Sequence, residues 1–491
     1  MTIPHFLVSI KYIIKPAGSQ NRTLDFGLWT LDFRFRMVYP GTKFTRPIRV
    51  AMLFFFITAF FVISPIIIMY TAGYRYDWQN GLLKETGAIS IDIEPKNAIV
   101  YLNGIKLQDK MPIRLNNIAP AKYNLRIIAA GYFDWLKEIE VKNKQTNYIK
   151  EITLIKKNKP QILLNEKVKT MSLSYDGRFI IYQKEKNNGN EILLWDNNGK
   201  KSTALFGLSN VEPVAINWAE KNNYAVISDL ASPHARLIIV DANNPLKQIN
   251  LTKNNSAIKK FQWENSAEPQ LYYSTEQNIF LYSPITDKHQ LMIKNKYLDW
   301  RMENGQLWTI QTDSTTKQYQ ITKDTLGFNS YFNNLNSTNI NLATGQIEKE
   351  GWQILEARKG VVLLKNNKKS EMMLLTETNK HRLATEKFLI SKYNDWWLLW
   401  SLWELWTYSA NEEPYLLNRS GEHLQEIAPL DKYNTLALAW ADKTAASFPY
   451  YLVSHDLLNE KIKNIAVDTE NKILYFINQD ENKAGIWKLN Y

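Results

Sequence analysis

The chain contains no cysteine, which excludes disulfides, thiolate nucleophiles, cysteine-ligated zinc and iron–sulfur clusters together. Histidine is scarce: His5, His234, His289, His381, His423 and His455 stand far apart, with no pair at metal-ligand spacing. Each reads as a surface or turn residue. Glycine and proline, 19 and 17 of 491 residues, are too few for a collagen-like or low-complexity chain. No Gly-x-Gly-x-x-Gly and no Walker loop occurs, so dinucleotide and P-loop chemistry has no support. Residues 207–211 begin like a nucleophile elbow but lack the second glycine. Glu412 and Glu413 are adjacent in a turn-like stretch and read as solvated carboxylates. The expectation is a protein that is not an enzyme, with no cofactor, no metal and no assignable catalytic residue.

What is present begins with aromatic side chains, 13% of the chain, including 16 Trp and 26 Tyr. Such residues suit half-buried pleated surfaces and favour β-rich architecture. The hydrophobic share of 45% is ordinary for a chain that buries a core. The net charge of +12 suggests nucleic acid until it is divided along the chain. Residues 1–50 hold eight basic side chains against Asp25 and Asp32, which leaves 52 basic and 46 acidic for all the rest. A phosphate-tracking protein would place its charge on the folded part. Here it lies beside an apolar run, and no nucleic-acid partner is expected.

That run, residues 50–70, is 21 residues without a charge, about 30 Å as a helix and so the thickness of a bilayer core. Residues 50–71 are therefore predicted to be one transmembrane helix, kinked at Pro65, in contact with the lipid bilayer. Tyr70, Tyr74, Tyr76 and Trp78 follow as an interfacial aromatic belt. Arg34, Arg36, Lys43, Arg46 and Arg49 precede the span, whereas Arg75 and Lys84 after it are balanced by Asp77 and Glu85. The positive-inside rule places residues 1–49 in the cytoplasm and the later domains outside it. The run is too long for a cleaved signal peptide, and a small residue at the −3 position is missing, so an uncleaved signal-anchor of the cell membrane is expected. Met37 opens a compact tail directly before the span. The native start is expected there, with residues 1–36 either not native or a loose tail. Residues 72–85 are expected to be a juxtamembrane linker.

Residues 86–156 read as strands and turns throughout. Ile89, Ile91 and Ile93 alternate with Ser90, Asp92 and Glu94, the period of a half-buried strand. Asn103-Gly104 is a hairpin dipeptide, and about six short strands describe a small β-sandwich. The run Ile93-Glu94-Pro95-Lys96-Asn97-Ala98-Ile99-Val100-Tyr101-Leu102-Asn103-Gly104, followed by Ile118-Ala119-Pro120-Ala121-Lys122-Tyr123-Asn124-Leu125 and Ala130-Gly131-Tyr132, resembles a PEGA domain. Pro95 and Ala98 keep the outer positions of the Pro-Glu-Gly-Ala turn, while Lys96 and Asn97 replace the middle pair. The resemblance implies an extracytoplasmic module of bacterial surface proteins, adhesive or structural in role, with no catalytic residues to carry over.

Residues 160–491 repeat. Apolar openings recur near Met171, Val214, Ile258, Tyr297, Trp352, Phe388 and Leu436, a period near 44 residues that fits four-stranded propeller blades. Seven blades are expected, with eight as the alternative because residues 464–489 supply a further unit. Residues 161–164 are candidates for the strand that closes the ring. Leu173-Ser174-Tyr175-Asp176-Gly177-Arg178-Phe179-Ile180-Ile181-Tyr182 resembles the hairpin of TolB-type and WD-like propellers, and Leu193-Leu194-Trp195-Asp196 resembles a strand ending in Trp-Asp. The fold class is thus all-β outside the membrane: one anchor helix, a PEGA-like sandwich and a propeller.

Two segments carry candidate recognition residues. The Trp-rich run 396–406 is too short to span a bilayer; it reads as two blade strands or as an aromatic platform for a sugar or peptide. The insert 313–337, with Tyr319, Phe328, Tyr331 and Phe332, reads as an irregular part of the fourth blade or as a recognition loop. The function expected is non-catalytic binding of an envelope protein or wall polysaccharide. The alternative is a propeller hydrolase or lyase acting on surface glycans.

Overall fold

The computed structural model describes residues 45–491 except 78–80, 108–109, 188, 210–211, 230–235, 254–257, 277, 295–296, 313–318, 326–350, 377, 392–395, 411 and 434. The expectations for residues 1–44 and for Trp78 lie outside the described residues. The chain divides into two units, residues 1–68 and 69–491.

Among the described residues the first unit holds one helix, Arg46–Thr71. It starts four residues before the uncharged run, so Arg46 and Arg49 lie in its first turn. Pro47 is tolerated there because the first N–H groups of a helix have no intrahelical acceptor. Apolar residues cover every face and none is buried; Phe55 and Phe61 are 69% and 70% exposed. In water that surface would be strongly unfavourable. In length and composition the helix can cross a membrane.

The second unit begins with a hairpin where a linker was expected. Tyr74–Asp77 pairs with Leu82–Glu85, and Lys144 holds it by an ion pair to Glu85 at 2.9 Å and a hydrogen bond to the Tyr74 hydroxyl at 2.8 Å. The sandwich follows as two sheets. One sets Gly87–Glu94 between Ile113–Ile118 and Thr146–Thr153. The other orders Ile105–Lys106, Ile99–Leu102, Ala121–Ile128 and Trp135–Val141. Alternation does what the sequence predicts: Ile89, Ile91 and Ile93 are buried against Ile127, Trp135 and Ile149. The two-residue turn at Asn103-Gly104 joins Leu102 to Ile105 with φ of 48° and 79°.

Residues 160–491 form a β-propeller. Among the described residues eight sheets succeed one another, at 168–208, 215–250, 260–294, 299–325, 352–383, 387–419, 426–458 and 462–490. That is one more than the seven preferred from the period and equals the alternative count. The eighth sheet takes its outer strand from the start of the domain: Gln161–Leu164 pairs with Gly485–Asn490. Eight apolar cores lie between successive sheets, and the last joins the eighth back to the first through Tyr475, Ile477, Ile180 and Tyr182. Side chains also reach across the seams to backbone. Gln183 accepts from Val214 N at 2.9 Å, Gln262 from Met302 N at 2.9 Å, and Glu426 from Asn464 N at 2.9 Å. Asn197 donates to the Tyr475 hydroxyl at 3.1 Å, bridging first and last.

One glycine position recurs with a geometric reason. Gly189 and Gly485 open the third strands of the first and eighth sheets with φ of +123° and +150°, where a Cβ would collide with the carbonyl oxygens of Leu208 and Leu164 respectively. Leu164 therefore occupies in the eighth sheet the place that Leu208 has in the first.

The sandwich shares a core with the seventh and eighth sheets. Trp135 meets Tyr451 edge-on at 5.4 Å, the Tyr451 hydroxyl donates to Lys150 O at 2.8 Å, and Asn158 donates to Asn490 O at 2.8 Å. Phe133 stacks on His455 at 5.4 Å. Burial lowers the His455 pKa from 6.5, helped by Lys157 and opposed by Asp134 and Asp456. The folded state thus binds its proton less readily than the unfolded chain. The stability it contributes is complete above about pH 6.5 and is lost as pH falls toward the lowered value. Thermal unfolding at pH 7.5 and 5.0 should show a larger acid loss for the native protein than for His455→Phe, which keeps the stacked ring; equal losses would refute the coupling.

Candidate functional site

The Trp-rich run resolves into a hairpin of the sixth sheet, Trp397–Trp400 with Glu404–Tyr408. Every residue of the first strand is buried because the sheet is covered on both faces. Trp397 and Leu399 pack toward the fifth sheet, Leu398 and Trp400 toward the seventh. Trp406 donates its indole N–H to Glu404 at 3.0 Å, and Trp403 sits at the exposed tip, 4.4 Å from His423. Most of the run is therefore blade core. Trp396 is the exception. It precedes the strand, is only half-buried, and meets Tyr450 of the seventh sheet at 5.1 Å with the rings tilted by 59°.

These two rings wall a cleft of about 470 Å³ between the sixth and seventh sheets. Thr407, Ser409, Tyr415 and Leu417 of the sixth sheet line one side, with Glu412 and Glu413 from the connecting turn. On the other side lies the short turn Pro449–Tyr451, closed by Leu452 in the left-handed region at φ 52°. The turn faces two ways. Tyr450 is 64% exposed toward the cleft, while its neighbour Tyr451 bonds the sandwich. A smaller groove of about 250 Å³ continues past Tyr450, bounded by Tyr148, Glu151 and Tyr433. Burial raises the Tyr450 phenol pKa, and the negative fields of Glu412 and Glu151 raise it further. His381 Nδ1 lies 3.4 Å from Glu413. Glu412 and Glu413, read from sequence as solvated, are exposed as expected, yet they converge with aromatic side chains from two sheets.

Two buried charged groups elsewhere have structural partners. Desolvation raises the Asp431 pKa, but the carboxylate accepts from Tyr433 N, Thr435 N and Thr435 Oγ1 at 2.8, 2.9 and 2.6 Å. Burial lowers the Lys260 pKa, and its ammonium bridges Asp299 at 2.7 Å and Ile354 O at 3.0 Å, which joins three sheets. No group of three His, Asp or Glu side chains could hold a metal among the described residues. A hollow of about 490 Å³ on the sandwich, beside Lys122, Glu140 and Lys142, has no aromatic wall. Of the candidate insert 313–337, residues Tyr319–Thr325 form a strand paired with Gln306–Thr312; the remainder lies outside the described residues.

Residues 86–158 match the PEGA domain family. No curated protein matches the chain. Among solved structures, a catalytically inactive virginiamycin B lyase from Staphylococcus aureus with quinupristin is 12% identical at a TM-score of 0.38, covering 68% of this chain and 98% of its own. The β-propeller domain of Myceliophteria thermophila Cps50 (Swd1) is 10% identical at a TM-score of 0.36, covering 67% and 100%. Hsv2 of Kluyveromyces lactis is 13% identical at 0.35, covering 60% and 98%.

Proposed function

We propose that the chain is a single-pass membrane protein, amino terminus cytoplasmic, whose PEGA domain and propeller lie outside the cytoplasm and bind an envelope protein or wall polysaccharide without catalysis. The apolar helix with basic residues ahead of it supports the anchor and its direction. The PEGA domain fits a surface protein. The cleft lined by Trp396 and Tyr450 carries the binding role. Rigid aromatic walls with a few polar groups between them are the general form of a recognition site, and rigid aromatics contribute contact area at small entropic cost.

The test is recovery of partners from a solubilised envelope by the full-length protein in nanodiscs. Trp396→Ala should reduce recovery about tenfold, the loss of one hot-spot contact. Trp403→Ala, an exposed tryptophan outside the cleft, should leave it unchanged. Equal effects from both would remove the cleft as the site. The alternative, a hydrolase or lyase acting on surface glycans, draws on the Glu412–Glu413 pair at the cleft, with His381 beside Glu413. Turnover of a surface glycan that Glu413→Gln abolishes would favour it.

A further inference from the structure

We infer that the cleft takes a basic, extended segment of a protein partner, with lysine or arginine side chains held against Trp396 and Tyr450 and directed at Glu412 and Glu413. This rests on the cleft being the recognition site proposed above, and it narrows the partner to a protein.

Charge supports it first. The chain carries a net +12, yet the described lining of the main cleft holds two carboxylates and no lysine or arginine. A cleft with walls of low polarity focuses the field of those carboxylates. Glu412 and Glu151 both raise the Tyr450 phenol pKa, but the net negative charge belongs to the main cleft. Lys150, in the smaller groove, is paired with Glu151 at 3.4 Å. An anionic polymer would meet two carboxylates with no lysine or arginine lining to neutralise them.

Ring chemistry points the same way. A cation over the face of Trp or Tyr is attracted by the ring quadrupole, and the two rings meet at 5.1 Å, which gives the cleft one joint aromatic surface. The shape suits an extended chain. Tyr415–Arg419 is the outermost strand of the sixth sheet and pairs on one side with Glu404–Tyr408. Tyr415 and Leu417, two residues apart on this strand, both line the cleft, the spacing at which alternate side chains of an added strand would be read.

The experiment uses the full-length protein in nanodiscs of uncharged lipid and three dye-labelled probes: a hexapeptide alternating lysine with alanine, the same peptide with serine for lysine, and a neutral chito-oligosaccharide. Fluorescence anisotropy should show saturable binding of the lysine peptide alone. The double variant Glu412→Gln, Glu413→Gln should weaken it at least about tenfold, and so should Trp396→Ala, with weakening by added salt in the native protein. Both glutamates are exposed, so the double variant is expected to keep the native near-ultraviolet circular dichroism. Lysine-peptide affinity unchanged in the double variant would overturn the inference, as would equal binding of the serine peptide. If the oligosaccharide alone binds, and loses binding in Trp396→Ala, the inference falls while the cleft stands as a recognition site. If no probe binds, the basic-segment inference is overturned; if binding is unaffected by Trp396→Ala, the cleft falls with it.

Discussion

Replacing Trp135 with alanine is expected to lower the stability of the sandwich and propeller by about 3–5 kcal/mol, the range for deleting a buried tryptophan side chain. The side chain is 0% exposed, anchors the sandwich core and meets Tyr451 of the propeller at 5.4 Å. Its loss leaves a cavity shared by two domains, and the Pro449–Tyr451 turn loses its packing partner. Its indole N–H has no hydrogen-bond partner among the described residues, and an orphaned buried donor costs about 1–3 kcal/mol. Trp135→Phe keeps a ring and removes that donor, so it should cost much less than alanine. Urea unfolding of the full-length protein in detergent, followed by near-ultraviolet circular dichroism, checks both. An alanine variant with the native midpoint would show that the shared core contributes little.

The second large effect concerns ring closure. Gly485→Ala should destabilise the propeller and free residues 161–164, because the new Cβ would collide with the Leu164 carbonyl oxygen and the φ of +150° is poorly tolerated by any side chain. Backbone strain of this kind costs about 1–3 kcal/mol, and displacement of the closing strand adds the loss of its pairing. Amide hydrogen exchange should accelerate in Gln161–Leu164 and in its partner Gly485–Asn490. Gly305→Ala is the control: its φ is also positive, at +74°, but nothing lies within 4 Å of the added carbon. If both variants exchange alike, the collision does not govern closure.

Much of this architecture was legible because fully covered strands read as apolar runs. The openings near Met171, Val214, Ile258, Tyr297, Trp352 and Phe388 fall at or within three residues of the first strands of six sheets. The seventh opening misled. Leu436 lies in the second strand, Leu436–Ala439, because the first strand, Glu426–Pro429, is short and starts with a glutamate that bonds the next sheet's backbone. The expected seven blades fell one short of the sheets found, since the eighth is assembled from both ends of the domain. The candidate site was half visible. The tryptophan run drew attention, but cores on both faces of its sheet bury most of it, and Trp396 matters because it falls outside the strand. Tyr450, Glu412 and Glu413 belong to separate turns, and nothing in local patterning brings such positions together.

Closure by Gln161–Leu164 also sets the order of folding. Leu164 and Ile486 are paired but lie at opposite ends of the propeller's chain, so the ring cannot close until its last strand has been synthesised. Contacts of such long sequence separation form late, because the entropy of closing a long loop is lost before they can contribute. Until then Gln161–Leu164 has no strand to pair with and Ile473–Asn478 presents an unpaired edge, a ready template for another chain. A nascent copy stalled before its last strand would leave the closing segment without a partner, and aggregation would compete with folding during that interval.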